Sequence, residues 1–167
     1  TVAPIFFLVY TSFTDYSQRT LFTGVYHVVG LSQYADILAD PDFWASVVRT
    51  LLFTAAMVIG SVVIGTAVAQ LMTRLGTAMR YVVTIALIFA WAMPTVASSM
   101  VWKWLFQPGY GVVNWLLTQL RVFGDMTNTD WANNAALAYL SIWLLIVWQA
   151  VPFIALTLYA ALTQIPH

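Results

Sequence analysis

The sequence predicts an all-α, polytopic membrane protein, and three observations carry that prediction. Three stretches contain no Asp, Glu, Lys or Arg: Thr50–Thr73, Tyr81–Trp102 and Trp131–Pro166, of 24, 22 and 36 residues. A bilayer core of about 30 Å is crossed by roughly 20 apolar helical residues, so each stretch is long enough to span. Hydrophobic residues make up 62% of the chain and charged residues 7%, far below the roughly 25% of soluble domains, so no water-facing surface can be covered. Finally, Trp44, Trp102, Trp104, Trp115 and Trp131 all fall near predicted ends of spans, where amphipathic indoles settle at the membrane–water interface.

The first element is Thr1–Phe13 (TVAPIFFLVYTSF), apolar but too short to cross. It lacks the basic region and cleavage site of a signal peptide. It reads as the outer end of a span whose first turns are missing. The chain also stops directly after an apolar run, at Ile165-Pro166-His167. The expectation is therefore a fragment of a longer protein, with about three and a half spans: 1–13 in part, 43–72, 81–106 and 133–163.

The segment 14–42 is polar, with Asp15, Arg19, Asp36, Asp40 and Asp42, and is interrupted by Gly24 and Gly30. Within it Leu31–Ala39 predicts a short interfacial helix, with Tyr34, Ile37 and Leu38 on one side. Asp40-Pro41 reads as an N-cap and first helical residue, because a short carboxylate satisfies free N–H groups and Pro has none to lose. The helix they start runs to about Met72, and Arg49 near its outer end is long enough to reach the headgroups. The loop 73–80 has Arg74 and Arg80 and no acid. Basic loops collect on the cytoplasmic side, which places 73–80 inside and the segments 14–42 and 107–132 outside.

Tyr81 to about Phe106 predicts one helix with Pro94 in its middle. Gln107-Pro108-Gly109-Tyr110-Gly111 reads as a turn. Val112–Val122 reads as an amphipathic helix and Asp125–Asp130 as a polar loop. The final helix covers about Asn133–Thr163, with Pro152 inside it.

Covalent chemistry has no constellation here. His27 and His167 lie far apart with no carboxylate or nucleophile at a useful spacing, and no Walker A, H-E-x-x-H or Gly-rich phosphate loop is present. Cys is absent, so disulfides and thiolate metal sites are excluded. A formal net charge of zero gives nucleic acid nothing to bind. No cofactor or metal is expected.

The span interiors hold no ionisable residue, only neutral polar ones: Gln70, Thr95, Ser98, Ser99, Ser141 and Gln149. Ser and Thr usually bond back to their own helix. A carboxamide cannot do this so easily, which singles out Gln149. Pro152 leaves the carbonyl of Trp148 without its usual donor, and Pro94 does the same to Ala90. Two spans thus each carry a mid-helix Pro with a Trp three or four residues before it. Either these residues share a cavity, or each Pro only bends a helix for packing.

Three runs then resemble a known family. They are Asp40-Pro41-Asp42-Phe43-Trp44 … Arg49-Thr50-Leu51 … Phe53-Thr54, then Trp102-Lys103-Trp104-Leu105-Phe106-Gln107-Pro108 … Gly111 … Asn114, then Trp148-Gln149 … Pro152-Phe153 … Leu162 … Ile165-Pro166. In order and spacing they resemble the permease subunits of sugar-type ABC importers, the MalF-like group. The resemblance implies the all-helical MetI-like permease fold, incomplete here at about 3.5 of 6 core spans. It implies a bacterial or archaeal inner-membrane location. The implied partners are a second permease subunit, two ATP-binding subunits that hydrolyse ATP in place of this chain, and an extracytoplasmic solute-binding protein.

It also implies solute contacts at Trp91 and Thr95, which flank Pro94, and at Ile146, Gln149 and Ala150. In the maltose permease the last three positions hold an Asn, an aliphatic residue and a Gly, so a copied maltose site is not expected. The expected substrate-binding residues are Trp91, Thr95 and Gln149, with Ser98 and Trp148 behind them. Indoles suit the C–H faces of sugars, and hydroxyl and amide groups suit their hydroxyls. The alternatives are the same fold for another solute, such as a glycerol phosphodiester, and a secondary transporter or channel without an ATPase.

Overall fold

The computed structural model describes residues 2–121 and 123–164. Ile165, Pro166, His167 and the expected Val122 end of the amphipathic helix lie outside them. Eight helices follow one another among the described residues: α1 Val2–Thr11, α2 Thr20–Thr23, α3 Ser32–Ala39, α4 Pro41–Arg74, α5 Thr77–Ala92, α6 Thr95–Leu105, α7 Val112–Leu120 and α8 Ala135–Leu162. The only β-type pairing among them is the isolated antiparallel bridge Thr14–Val28. The fold is all-α. Two helices, α4 and α8, are each long and apolar enough to cross a membrane.

The chain divides into two compact units, residues 1–52 and 53–167. In the first, the polar segment folds back on the end of α1. His27 N–H donates to the Asp15 carboxylate at 2.6 Å, and Val29 N–H donates to the Phe13 carbonyl at 2.9 Å. The Tyr34 hydroxyl then donates to Ser12 Oγ at 2.7 Å. His27 thus joins this fold-back through its backbone N–H. The reading of Asp40-Pro41 as a helix start holds: α4 begins at Pro41, and Asp40 Oδ1 accepts from Asp42 N–H at 2.9 Å. That bond satisfies one of the free donors of the first turn.

In the second unit the small residues of α4 set the packing. Ser61, Gly65, Ala69 and Met72 recur at helical spacing and are its buried stripe. A Cβ on Gly65 would lie 2.6 Å from Ile154 Cγ2, and Gly60 faces the Trp143 ring in the same way. Trp143 Nε1–H donates to the Ala56 carbonyl at 2.9 Å, so the indole is fixed at both its apolar and its polar end. At the other end of α8, Arg80 donates to the carbonyls of Leu75 and Met72 at 2.8 and 3.2 Å and covers the Tyr159 ring at 5.6 Å. A cation at a helix C-terminus is favourably placed against the free carbonyls.

The expected continuous helix from Tyr81 to Phe106 is corrected. It is two helices, α5 and α6, that meet at an angle of 101°. Met93 is extended, with φ −69° and ψ 126°, because the Pro94 ring clashes with a helical residue before it. Pro94, at φ −59° and ψ 136°, then starts α6. The expected Val112–Val122 helix ends earlier, at Leu120, where Arg121 turns left-handed at φ 53°. In contrast, α8 passes through Pro152 as one helix.

Candidate functional site

The break at Met93–Pro94 leaves the last carbonyls of α5 and the first N–H groups of α6 without intrahelical partners. The Pro94 carbonyl accepts the first intrahelical bond of α6, from Ser98 N–H at 2.9 Å, and also the Ser98 hydroxyl at 3.2 Å. Part of the unpartnered set is reached from α8. Gln149 Nε2 donates to Thr95 Oγ1 at 3.2 Å and lies 3.4 Å from the Met93 carbonyl. The carboxamide singled out in the sequence therefore sits at the break.

The five expected residues are distributed around this point. Thr95 and Gln149 are joined directly. Trp91 stacks on Phe153 at 6.5 Å and 25°, one turn along α8 from Gln149, and its ring is more than half exposed. Trp148 turns to the other side, against Trp102 at 5.8 Å. Ser98 is completely buried, and its hydroxyl is already held by Pro94. It supports the start of α6 from behind. Ile146 is exposed and Ala150 half-buried.

Beyond Trp102 lies a cavity of about 560 Å³, lined among others by Ser99, Lys103, Phe106, Gln107, Asp130 and Ser141. None of the five expected residues lines it. One buried amide outside the lining, Asn114, holds a wall residue in place. The Asn114 side chain accepts from Trp131 Nε1–H at 2.6 Å and donates to the Thr129 carbonyl at 3.0 Å. This ties α7 to the loop before α8 and orients the Trp131 ring, which meets Phe106 edge-on at 4.6 Å. Phe106 in turn stacks on Trp102 at 5.7 Å and 20°.

The same loop is pinned by Met126 N–H donating to Thr118 Oγ1 at 2.9 Å. Hydrogen bonds from the Thr127 side chain and backbone hold the Asp125 carboxyl below the usual carboxylate value. Sequence reasoning treated Trp102 and Trp131 as interface anchors and missed the cavity. Ser99 and Ser141 were visible only as neutral polar residues at depth, and they are the signal that could have located it.

No family model matches the chain. Individual relatives do. The diacetylchitobiose uptake system permease protein DasB of Streptomyces coelicolor is 40% identical over 155 residues, which is 93% of this chain and 47% of the relative. The sulfoquinovosyl glycerol transport system permease protein SmoG of Agrobacterium fabrum is 32% identical over 99% of this chain and 52% of its own length. The inner membrane ABC transporter permease protein YcjO of Escherichia coli is 32% identical over 82% of this chain and 46% of its own length. The chain spans about half the length of the curated relatives it matches. With apolar helices able to cross a membrane and this similarity along nearly all of its residues, it is a multi-pass membrane protein that belongs to the sugar-type ABC transporter permeases.

Proposed function

We propose that this chain forms part of the translocation path of an ABC importer for a carbohydrate-type solute. The observation that carries the reading is the helix break at Met93–Pro94, inside a charge-free apolar stretch and bridged by Gln149. Unpaired main-chain groups cost several kcal/mol each in hydrocarbon, so irregular backbone at membrane depth belongs in protein or beside a water-filled passage. Broken helices serve transporters in this way, by presenting main-chain and side-chain dipoles to solute near the midplane.

The groups around the break are neutral. Thr95, Gln149 and the freed carbonyls can exchange hydrogen bonds with hydroxyls, and Trp91 offers a ring face. That chemistry suits a polyol better than a phosphodiester, which would call for a basic residue. The permease names of the relatives, for diacetylchitobiose and sulfoquinovosyl glycerol, support a carbohydrate-type solute.

The chain acts by alternating access: solute and partner subunits bind the outward- and inward-facing states unequally, and that difference shifts the equilibrium. ATP hydrolysis belongs to two partner subunits, a second permease subunit completes the path, and an extracytoplasmic binding protein delivers the solute. Trp91→Ala and Gln149→Ala in the full importer, reconstituted with its ATPase, test the site. Each should lower ATP-dependent disaccharide uptake while membrane insertion stays intact. Undiminished uptake in both removes the binding proposal, and uptake that needs no ATP favours a secondary transporter.

A further inference from the structure

The cavity beside Trp102 is a separate place from the break, and its lining has its own chemistry. We propose that it is a second carbohydrate subsite, a vestibule that receives solute before it reaches Gln149. This inference rests on the carbohydrate path proposed above.

The volume, about 560 Å³, falls within the roughly 300–1,000 Å³ of small-molecule sites. Its apolar walls are the rings of Trp102, Phe106 and Trp131, suited to the C–H faces of pyranoses. Its polar groups are of both kinds. Lys103 can only donate, Asp130 can only accept, and Gln107 can do either. The hydroxyl protons of Ser99 and Ser141 are spent on the carbonyls of Val96 and Ala138, at 2.8 and 2.9 Å. Their oxygens remain able to accept.

These groups also decide against the bland occupant. An apolar helix laid into the cavity would bury the Lys103 ammonium and the Asp130 carboxylate, which keeps only the bond from Ala132 N–H at 3.0 Å, at a large desolvation cost. A polyhydroxylated solute satisfies them. One Lys and one Asp make the formal charge of the lining zero, which matches a neutral ligand.

The walls are fixed before any solute arrives. Asn114 sets Trp131, Trp131 meets Phe106, and Phe106 stacks on Trp102. Pre-set walls spare a ligand the cost of ordering them. Trp102 also makes the connection inward, because its other contact is Trp148, the residue before Gln149. The position agrees with an entrance. Ile142 lines the cavity, while Tyr159 carries the Arg80 contact near the 73–80 turn. Seventeen residues of α8 separate the two, roughly 25 Å at 1.5 Å per residue.

The chain contains no Cys, so Ser141→Cys and, separately, Ser99→Cys each give this segment one thiol. In the full importer in proteoliposomes, a membrane-impermeant maleimide should label either one. Maltose, trehalose and diacetylchitobiose serve as probes. The disaccharide that the vesicles import should slow labelling about threefold at twice its Kd, and the protection should persist with Gln149→Ala, which removes only the inner contact. Fast labelling unaffected by an imported disaccharide overturns the vestibule and leaves the path reading intact. An absence of labelling with transport preserved also overturns it, because protein then fills the cavity. Vesicles that import none of the three overturn the path reading, and the vestibule with it.

Discussion

Replacing Gln149 by Leu keeps most of the side-chain volume and deletes the amide, which separates the two roles of this residue. The structural role is small. Of its two contacts, 3.2 Å to Thr95 Oγ1 is a sound hydrogen bond and 3.4 Å to the Met93 carbonyl is long. Side-chain bonds between membrane helices average about 0.6 kcal/mol and reach about 1.7, so the substitution should leave folding and insertion near normal. The solute role is larger in what it reads out. One neutral hydrogen bond to a sugar hydroxyl contributes about 0.5–1.5 kcal/mol, which is about a 2- to 12-fold loss of solute affinity. The assay is the concentration dependence of ATP-driven disaccharide uptake in proteoliposomes, with transporter yield after size-exclusion chromatography as the control. A variant with normal yield and normal solute dependence refutes the reasoning. A variant with low yield and normal solute dependence makes Gln149 only a tether for the broken helix.

Asn114→Ala should leave Trp131 Nε1–H and the Thr129 carbonyl unpaired in a buried place, at about 1–3 kcal/mol for each group that water does not reach. Thermal unfolding of the full permease in detergent and faster proteolysis within 123–130 would show it. Gly65→Val should force Ile154 away from a contact of 2.6 Å, an overpacking cost of about 1–3 kcal/mol. Gly76→Ala, which meets nothing within 4 Å, is the control whose melting point should hardly move, and equal effects at both glycines would refute the close approach of α4 to α8. Thr77→Cys should react only with maleimides that enter the cell, because the Arg74 and Arg80 turn is expected on the cytoplasmic side; reaction from outside inverts the topology.

The parts of the fold that were legible in the sequence depend on local chemistry. Asp40-Pro41 starts α4 because a carboxylate and a ring do the same thing in any context. Charge-free length marks α4 and α8 as helices long and apolar enough to span. Tertiary placement was not legible. Trp131 has the composition of an interface anchor, yet its N–H is spent on buried Asn114 and the residue is 6% exposed. Asn114 itself gave no signal beyond its place in a family resemblance, since its partners lie 15 and 17 residues away. Around the candidate site, Gln149 was legible because an amide in an apolar span needs partners. Which partners it has depends on a break whose angle no apolar pattern encodes.

The two mid-span prolines show what decides that angle. Each removes an N–H and crowds the carbonyl four residues back, so sequence alone gives them the same effect. Their surroundings differ. Pro152 is fully buried within α8, with Val151 and Ala155 packed beside it in the chain, and packing holds the helix on course despite one lost bond. Pro94 is exposed, outside any such packing among the described residues. Met93 takes the extended conformation that a residue before Pro favours, and the Ser98 N–H and hydroxyl both turn to the Pro94 carbonyl. The chain restarts as a new helix in another direction. The same residue type is therefore a packing element in one span and an opening in the other. The span that opens is the one whose free backbone groups Gln149 reaches, so the polar position in this apolar region comes from a helix that fails to continue, without any buried charge.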